Sequence, residues 1–201
     1  MIQYILLRVT AHSTEKISRV EKTLGFFLLP NIFSTKEFFK DSLNQTVSTP
    51  KEVETDTENP FKDISNERKE NYINETNYLE LIDKTLKNKI ELISIIGHYK
   101  NPITIISVKL TRKSEISSFF KCINENISFS EHEKFISDIP DRLDEDQVLH
   151  LRFNKQAAFL GKIVLTEDSD AISVKIKIVT YPKNRNSAIK EARELFDKKI
   201  L

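Results

Sequence analysis

The chain has 201 residues, 39% of them hydrophobic and 30% charged, which is the composition of a packed core with a polar surface. Its formal net charge is only +1, so any basic surface for nucleic acid has to be local. Cys122 is the only cysteine, which excludes internal disulfides and cysteine-based zinc fingers and predicts a reduced, cytoplasmic protein. The three glycines are far apart, which excludes a glycine-rich phosphate loop, and we predict neither an enzyme nor a cofactor.

The first predicted element is a strand over residues 2–9, apolar on both faces and therefore central or covered. This run is too short to cross a membrane and resembles no secretion signal, so we predict no membrane association. A helix capped by Ser13 or Thr14 follows it. Its apolar positions recur at helical spacing at Ile17, Val20 and Leu24.

Residues 31–89 differ in composition from the rest of the chain. They contain nine Lys and Arg against twelve Asp and Glu, and residues 45–59 are almost without apolar side chains. Such a stretch buries too little apolar surface to offset the entropy of ordering, so we predict that residues 45–59 are flexible. Phe33, Phe38 and Phe39 could dock on the body, and residues 72–86 could form a helix. We therefore predict one α+β domain over residues 1–201 with a polar, partly flexible insertion at 31–89.

Two strands rich in Ile, Leu and Val, at 90–96 and 103–110, predict a hairpin. Ser114 then caps a predicted helix, whose apolar face consists of Ile116, Phe119, Phe120 and Ile123. The pattern that begins at Ser130 and places Glu133 three residues later has the form of a capping box and predicts a short helix that stops before Pro140.

The last third of the sequence predicts a strand at 148–153, a helical turn at 154–160 closed by Gly161, and a second hairpin formed by 162–165 and 172–179. In the final strand apolar and polar residues alternate, so one face is buried and the other is wet and basic. A helix from about Ser187 buries Ile189, Ala192, Leu195 and Phe196. The element order predicts an antiparallel sheet with helices packed on one face, in two layers.

Four segments together resemble a family of small archaeal proteins described as RNA-binding and as exosome-associated subunits. They are His-Ser-Thr-Glu at 12–15, Gly-His-Tyr-Lys-Asn-Pro-Ile at 97–103, Asp-Arg-Leu-Asp-Glu at 141–145, and Leu-His-Leu-Arg-Phe-Asn-Lys-Gln-Ala-Ala at 149–158. The resemblance covers residues 1–30 and 90–180. It implies RNA binding and a fold like that of the large-subunit ribosomal protein that binds five-S RNA. This chain has Lys100 where we would expect a second loop glycine, and its 31–89 stretch is longer than the usual connection.

The first candidate site is the hairpin loop, which combines two rings, a cation and an amide in His98, Tyr99, Lys100 and Asn101. Rings stack on unpaired bases, Lys neutralises phosphate and Asn reads base edges, so the set suits RNA. The alternative is a turn in which Gly, Asn and Pro serve geometry alone.

Further candidate RNA contacts are Arg152, Lys155 and Gln156, at the end of a strand and in the following turn. The alternative for Arg152 is an ion pair with Asp141 or Asp144.

A basic stripe is predicted from the lysines of the last strand and the residues after it, namely Lys175, Lys177, Lys183 and Arg185, together with Lys162. The alternative is a solvated sheet face with lysines that discourage edge pairing.

No metal site or catalytic residue is predicted. His12 with Glu15 lacks a third ligand of suitable spacing, and the consecutive residues Glu131, His132 and Glu133 point in different directions on a helix. Cys122 lies beside an apolar helical stripe and is expected to be a core thiol.

These patterns favour a non-catalytic RNA-binding protein, an accessory subunit in RNA processing or degradation, whose partner is single-stranded or structured RNA. The competing hypothesis is a protein-interaction scaffold without RNA contact, which the near-neutral charge and the acidic insertion favour.

Overall fold

The computed structural model describes residues 1–29 and 89–197. The predicted flexible stretch at 45–59, the docking phenylalanines and the helix at 72–86 lie outside the described residues. The elements are, in chain order, β1 (Ile2–Ala11), α1 (Ile17–Leu28), β2 (Ile90–Ile96), β3 (Pro102–Leu110), α2 (Lys113–Asn126), α3 (Phe129–Arg142), β4 (Val148–Asn154), α4 (Lys155–Phe159), β5 (Ala171–Ile178) and α5 (Arg185–Asp197).

The five strands form one antiparallel sheet in the order β2-β3-β1-β5-β4. β1 is central, as its apolar character predicts, because β3 and β5 pair with its two edges. The α+β class and the antiparallel sheet with helices on one face are confirmed.

Alternation along each strand separates a covered face from a solvent face. On the covered face Leu7 lies opposite Val108 of β3 and Val174 of β5, and all three side chains are buried. The helices cover this face because their apolar residues recur every three or four positions. The apolar face predicted for α2 is confirmed: Ile116, Phe119, Phe120 and Ile123 are all buried.

Aromatic rings join the helices to the sheet. The Phe27 ring of α1 lies 5.9 Å from the ring of Phe119 in α2 and 5.5 Å from that of Phe153 in β4. Cys122 is fully buried, its thiol donates to the Phe26 carbonyl at 3.2 Å, and burial raises the pKa of the thiol. It is a core thiol, as expected.

The predicted sixth strand at 162–165 is wrong. Ile163 and Leu165 make only isolated bridges, to Ile127 and Phe153 respectively. The reason lies in β5, whose two edges are occupied by β1 and β4, so that it offers no edge to a hairpin partner. The predicted turn after β4 is confirmed as α4, which Asn154 caps by accepting from the Ala157 N–H at 2.8 Å.

The predicted boundaries of three helices are also wrong. α1 begins after Lys16 rather than after Ser13 or Thr14, because the Glu15 carboxylate accepts from the His12 N–H at 3.0 Å and holds residues 12–15 in a turn. α2 begins at Lys113, one residue before the predicted cap.

α3 begins earlier and ends later than predicted. Its N-cap is Ser128, whose hydroxyl accepts from the Glu131 N–H at 3.3 Å. The helix continues through Pro140 to Arg142. The proline lies in the last turn, where its missing N–H removes a single helical hydrogen bond.

Candidate nucleic-acid interface

The face of the sheet opposite the helices is here called the open face. It carries four exposed basic side chains, those of Arg8, Lys109, Arg152 and Lys175. Its side chains come from alternate positions of each strand, which are exposed or half-buried except for Ser107. Because the strand period is two, a polar or charged residue between buried ones must point to this side.

Two rows of side chains cross the open face where the strand register aligns them. One row runs Ser107, Arg8, Ser173, Arg152 across β3, β1, β5 and β4. The neighbouring row runs Lys109, Leu6, Lys175, His150 across the same strands. Each of the four strands therefore contributes a cation from one row or the other.

We call Arg8, Lys109, Arg152 and Lys175 the cation belt. All four side chains are exposed. Strands lie about 4.8 Å apart, so the two arginines are about 10 Å apart, the two lysines are about 10 Å apart, and the rows are about 7 Å apart. Among the described residues, no carboxylate lies within ion-pair distance of Arg8, Arg152 or Lys175. The alternative in which Arg152 pairs with Asp141 or Asp144 is therefore not adopted.

Neighbouring groups contact the side chains at the two ends of the second row, Lys109 and His150. The Lys109 ammonium lies 4.7 Å from the centre of the Tyr4 ring. His150 Nε2 lies 2.8 Å from Asp144 Oδ2. Burial by itself raises the pKa of Asp144, but the hydrogen bonds from His150 and the Val148 N–H outweigh it and lower that pKa.

The charge balance of the open face is strongly positive. Its strand positions carry five cations, the belt and Lys177, against one carboxylate, Glu91 at the β2 edge, within the part of the chain that the structure describes. Lys177 is half-buried and donates to the Asp146 carbonyl. The near-neutral whole chain thus has a local basic surface, the feature that an anionic partner requires.

The hairpin between β2 and β3 holds the predicted loop residues together at one end of the sheet. The side chains of His98, Tyr99, Lys100 and Asn101 are all exposed, and Tyr99 is 83% exposed. The His98 and Tyr99 rings meet edge to face at 5.1 Å. Lys100 has a φ of 61°, so it adopts the left-handed conformation that favours glycine at the position where we expected one.

Lys155 is placed differently from the other predicted contacts. It is only 3% exposed, and its ammonium donates to Glu15 Oε2 at 2.8 Å and to the Thr10 carbonyl at 3.1 Å. Asp170 Oδ1 lies 2.5 Å from the same nitrogen. Its donors are thus occupied inside the fold, and we do not include Lys155 in the interface.

The same cluster bears on the expected absence of a metal site. Sequence spacing offers no third ligand beside His12 and Glu15, but the fold brings Asp170 to them, with the three ligand atoms within 4.8 Å of one another. The Lys155 ammonium already supplies the positive charge to both carboxylates. The cluster is an internal ion-pair network.

The remaining predicted residues lie away from the cation belt. Arg185 donates to the carbonyls of Pro140 at 2.6 Å and Leu143 at 3.0 Å, where it satisfies the C-terminal end of α3. Lys183 is 3.4 Å from Asp146. Gln156 is exposed on α4 and lines a groove of about 310 Å³ with Arg19 and other residues of α1.

Sequence reasoning missed Arg8 and Lys109. The sequence did contain a signal for both residues. Arg8 is the only charged residue in the apolar stretch 2–9, and Lys109 is the only one in the stretch 103–110. A single charge inside an apolar strand indicates a face open to water, whereas we interpreted residues 2–9 as apolar on both faces.

None of the helices in residues 1–29 and 89–197 is long and apolar enough to cross a membrane.

Two solved structures share the fold along nearly their whole length. Protein AF2318 from Archaeoglobus fulgidus has a TM-score of 0.61 at 28% identity, over 97% of this chain and 99% of that one. Mth689 from Methanothermobacter thermautotrophicus has a TM-score of 0.59 at 21% identity, over 98% and 99%, and shows likeness of fold alone.

Two curated relatives match about half of the chain. The RNA-binding protein PAB1135 of Pyrococcus abyssi is 27% identical over 104 residues, 52% of this chain and 68% of the relative. The uncharacterized protein MJ0213 of Methanocaldococcus jannaschii is 33% identical over 109 residues, 52% of this chain and 71% of the relative. A family model described as RNA binding matches residues 4–178. Since that match covers most of the chain, this protein belongs to the RNA-binding family.

Proposed function

We propose that this protein is a non-catalytic RNA-binding protein that contacts RNA through the cation belt on the open face and through the hairpin loop. The observation that carries the proposal is the charge of the open face, with five cations against one carboxylate among the described strand positions. Membership of a family described by RNA binding, rather than by a reaction, supports it.

The cation belt supplies the phosphate contacts. Arg8 and Arg152 present planar guanidinium groups that can donate two hydrogen bonds to one phosphate, whereas Lys175 acts as a point charge. Because no described carboxylate competes for these three cations, phosphate oxygens would displace only water.

The hairpin loop supplies a different kind of contact. Tyr99 is 83% exposed and carries its ring beside that of His98, so either ring can stack on an unpaired base. Lys100 and Asn101 add a cation and an amide at the same tip. Contacts of this type read bases, while those of the cation belt hold the backbone.

In the cell, we propose an accessory role in RNA processing or degradation, in the cytoplasm and in association with an exosome-like complex. The single domain over residues 1–201 with its insertion at 31–89, and the likeness to the ribosomal protein that binds five-S RNA, remain parts of this proposal. Superposition on that ribosomal protein tests the likeness of fold, and co-purification with defined exosome subunits tests the association.

Titration of a labelled RNA at several salt concentrations tests the function. Each lost phosphate contact lowers the slope of log affinity against log salt, by about 0.7 for a single strand. Lys175→Ala should therefore weaken binding to all RNAs and flatten the slope. Lys190→Ala on α5, also exposed, is the matched control and should change neither. Absence of binding at low salt with protein well above ~100 µM, the weak end of non-specific affinity, would contradict the proposal.

The second candidate function is a protein-interaction scaffold without RNA contact, and the edge strand β2 favours it. β2 pairs only with β3 within the described sheet, and it exposes Leu92, Ile93, Ile95 and Ile96. Exposed apolar edge strands are typical of sites where another protein chain adds a strand. A charge introduced at Leu92 (Leu92→Lys), which pairs with the buried Ile106 and so lies on the helix side of β2, separates the two functions, since it should abolish a β2-mediated protein contact and leave RNA affinity unchanged.

A further inference from the structure

The side chains of the open face and those of the hairpin loop suit different kinds of RNA. We infer that the cation belt binds base-paired RNA by its backbone, rather than unpaired bases; this inference rests on the proposed function. It concerns Arg8, Lys109, Arg152 and Lys175 with the hydroxyl groups between them.

The first argument is the lack of a stacking platform. Proteins that bind single strands combine a basic groove with aromatic rings on which successive bases stack. Among the described strand positions of the open face the aromatic rings are Tyr4, which is half-buried and faces the Lys109 ammonium at 4.7 Å, and His150, which is exposed and hydrogen-bonded to Asp144 at 2.8 Å. The fully exposed tyrosines, Tyr99 and Tyr181, lie outside the strands. The open face therefore has one exposed ring, His150, whose edge is bound to Asp144, and no series of rings on which successive bases could stack.

The second argument is the chemistry of the side chains that are present. Ser173 lies between Arg8 and Arg152 in the same row, and its half-buried hydroxyl makes no hydrogen bond within the described residues. A guanidinium, a hydroxyl and a second guanidinium in one line suit alternating phosphate and 2′-hydroxyl groups. Double-stranded RNA is recognised mostly through those groups, across its wide and shallow minor groove.

The third argument is the arrangement of the cations in two dimensions. A single strand needs cations along one line, whereas the cation belt extends about 14 Å across four strands and about 7 Å along them. Arginines occupy one row and lysines the neighbouring row. A broad, shallow face of this kind matches the backbone surface of a helix better than a groove that follows one chain.

The test compares three probes on the unmodified protein: a blunt RNA duplex of about 16 base pairs, the span that a duplex-binding domain covers, one of its strands alone, and the DNA duplex of the same sequence. The RNA duplex should bind most tightly. A single strand that binds as tightly as the RNA duplex would overturn the inference and leave RNA binding itself intact. Equal affinity for the DNA duplex would overturn it as well, since DNA lacks the 2′-hydroxyl.

Variants then assign the site. The double variant Arg8→Gln/Arg152→Gln should lower affinity for the RNA duplex about tenfold, the effect of two exposed charge contacts, and should lower single-strand affinity by a smaller factor. Arg193→Gln on α5, exposed and on the helical side, is the matched control. Tyr99→Ala should show the opposite selectivity and weaken only the single strand. An equal loss for both RNAs in the double variant would overturn the inference, whereas no binding of any RNA by the unmodified protein would overturn the proposed function first.

Discussion

Removal of the Lys155 ammonium tests whether this charge stabilises the fold or binds RNA. In Lys155→Met the side chain keeps its length and loses three partners: Glu15 at 2.8 Å, Asp170 at 2.5 Å and the Thr10 carbonyl at 3.1 Å. Because Lys155 is 3% exposed, water cannot easily take the place of the lost donor. We expect lower stability and unchanged RNA affinity.

The size of the effect follows from the exposure of the partners. Breaking a fully buried ion pair by removing one partner costs about 3–5 kcal/mol. The side chains of Glu15 and Asp170 retain 23% and 46% exposure, so water can solvate both carboxylates in part. We therefore expect a loss of about 2 kcal/mol in the free energy of unfolding, below the fully buried value.

The pH dependence of stability gives a second signature. Burial by itself raises the pKa of Glu15, but the hydrogen bonds from Lys155 and the His12 N–H outweigh it and hold the pKa below the usual 4.5. A lowered pKa means that this stabilisation is fully present above pH 4.5 and is lost as the pH falls through the folded-state value. Lys155→Met should therefore lose less stability on acidification than the unmodified protein.

Urea denaturation followed by circular dichroism measures both effects. With a slope near 2 kcal/mol/M, a loss of 2 kcal/mol moves the midpoint down by about 1 M. Gln156→Ala, the exposed neighbour on α4, is the matched control and should leave the midpoint unchanged. An unchanged midpoint together with weaker RNA binding by Lys155→Met would refute the reasoning and return Lys155 to the interface.

Three further outcomes are expected. Arg185→Ala should lower the free energy of unfolding by about 1–2 kcal/mol without changing RNA affinity, since it leaves the α3 carbonyls of Pro140 and Leu143 without their donor; weaker RNA binding at unchanged stability would contradict this. Lys100→Gly should raise stability by up to about 1 kcal/mol in thermal melts, because it relieves the left-handed backbone; a lower melting temperature would count against a strained loop. Phe27→Ala should cost about 3–5 kcal/mol, measured in urea, because the ring is fully buried between Phe119 and Phe153; a loss under 1 kcal/mol would refute the packing described for the core.

The sequence by itself determined the class of the fold and the faces of its elements. Alternation of apolar and polar residues identified the buried and wet sides of β5, and helical spacing identified the core face of α2. Both patterns are local, because a period of two or of 3.6 residues fixes which side chains share a face without reference to the rest of the chain. The single cysteine, the scarce glycines and the loop residues around Tyr99 could also be identified from the sequence, because they depend only on composition and on local residue order.

Only the tertiary structure decided which charges are available to a ligand. Lys155 and Lys175 look alike in sequence, but one meets carboxylates that lie 140 residues earlier and 15 residues later, while the other has no described ion partner. Arg8 and Lys109 join Arg152 and Lys175 because strand register brings together positions that are distant along the chain. Local periodicity sets the face on which a side chain lies, whereas long-range pairing sets its neighbours, and the neighbours determine whether a cation is neutralised inside the fold or left for a phosphate.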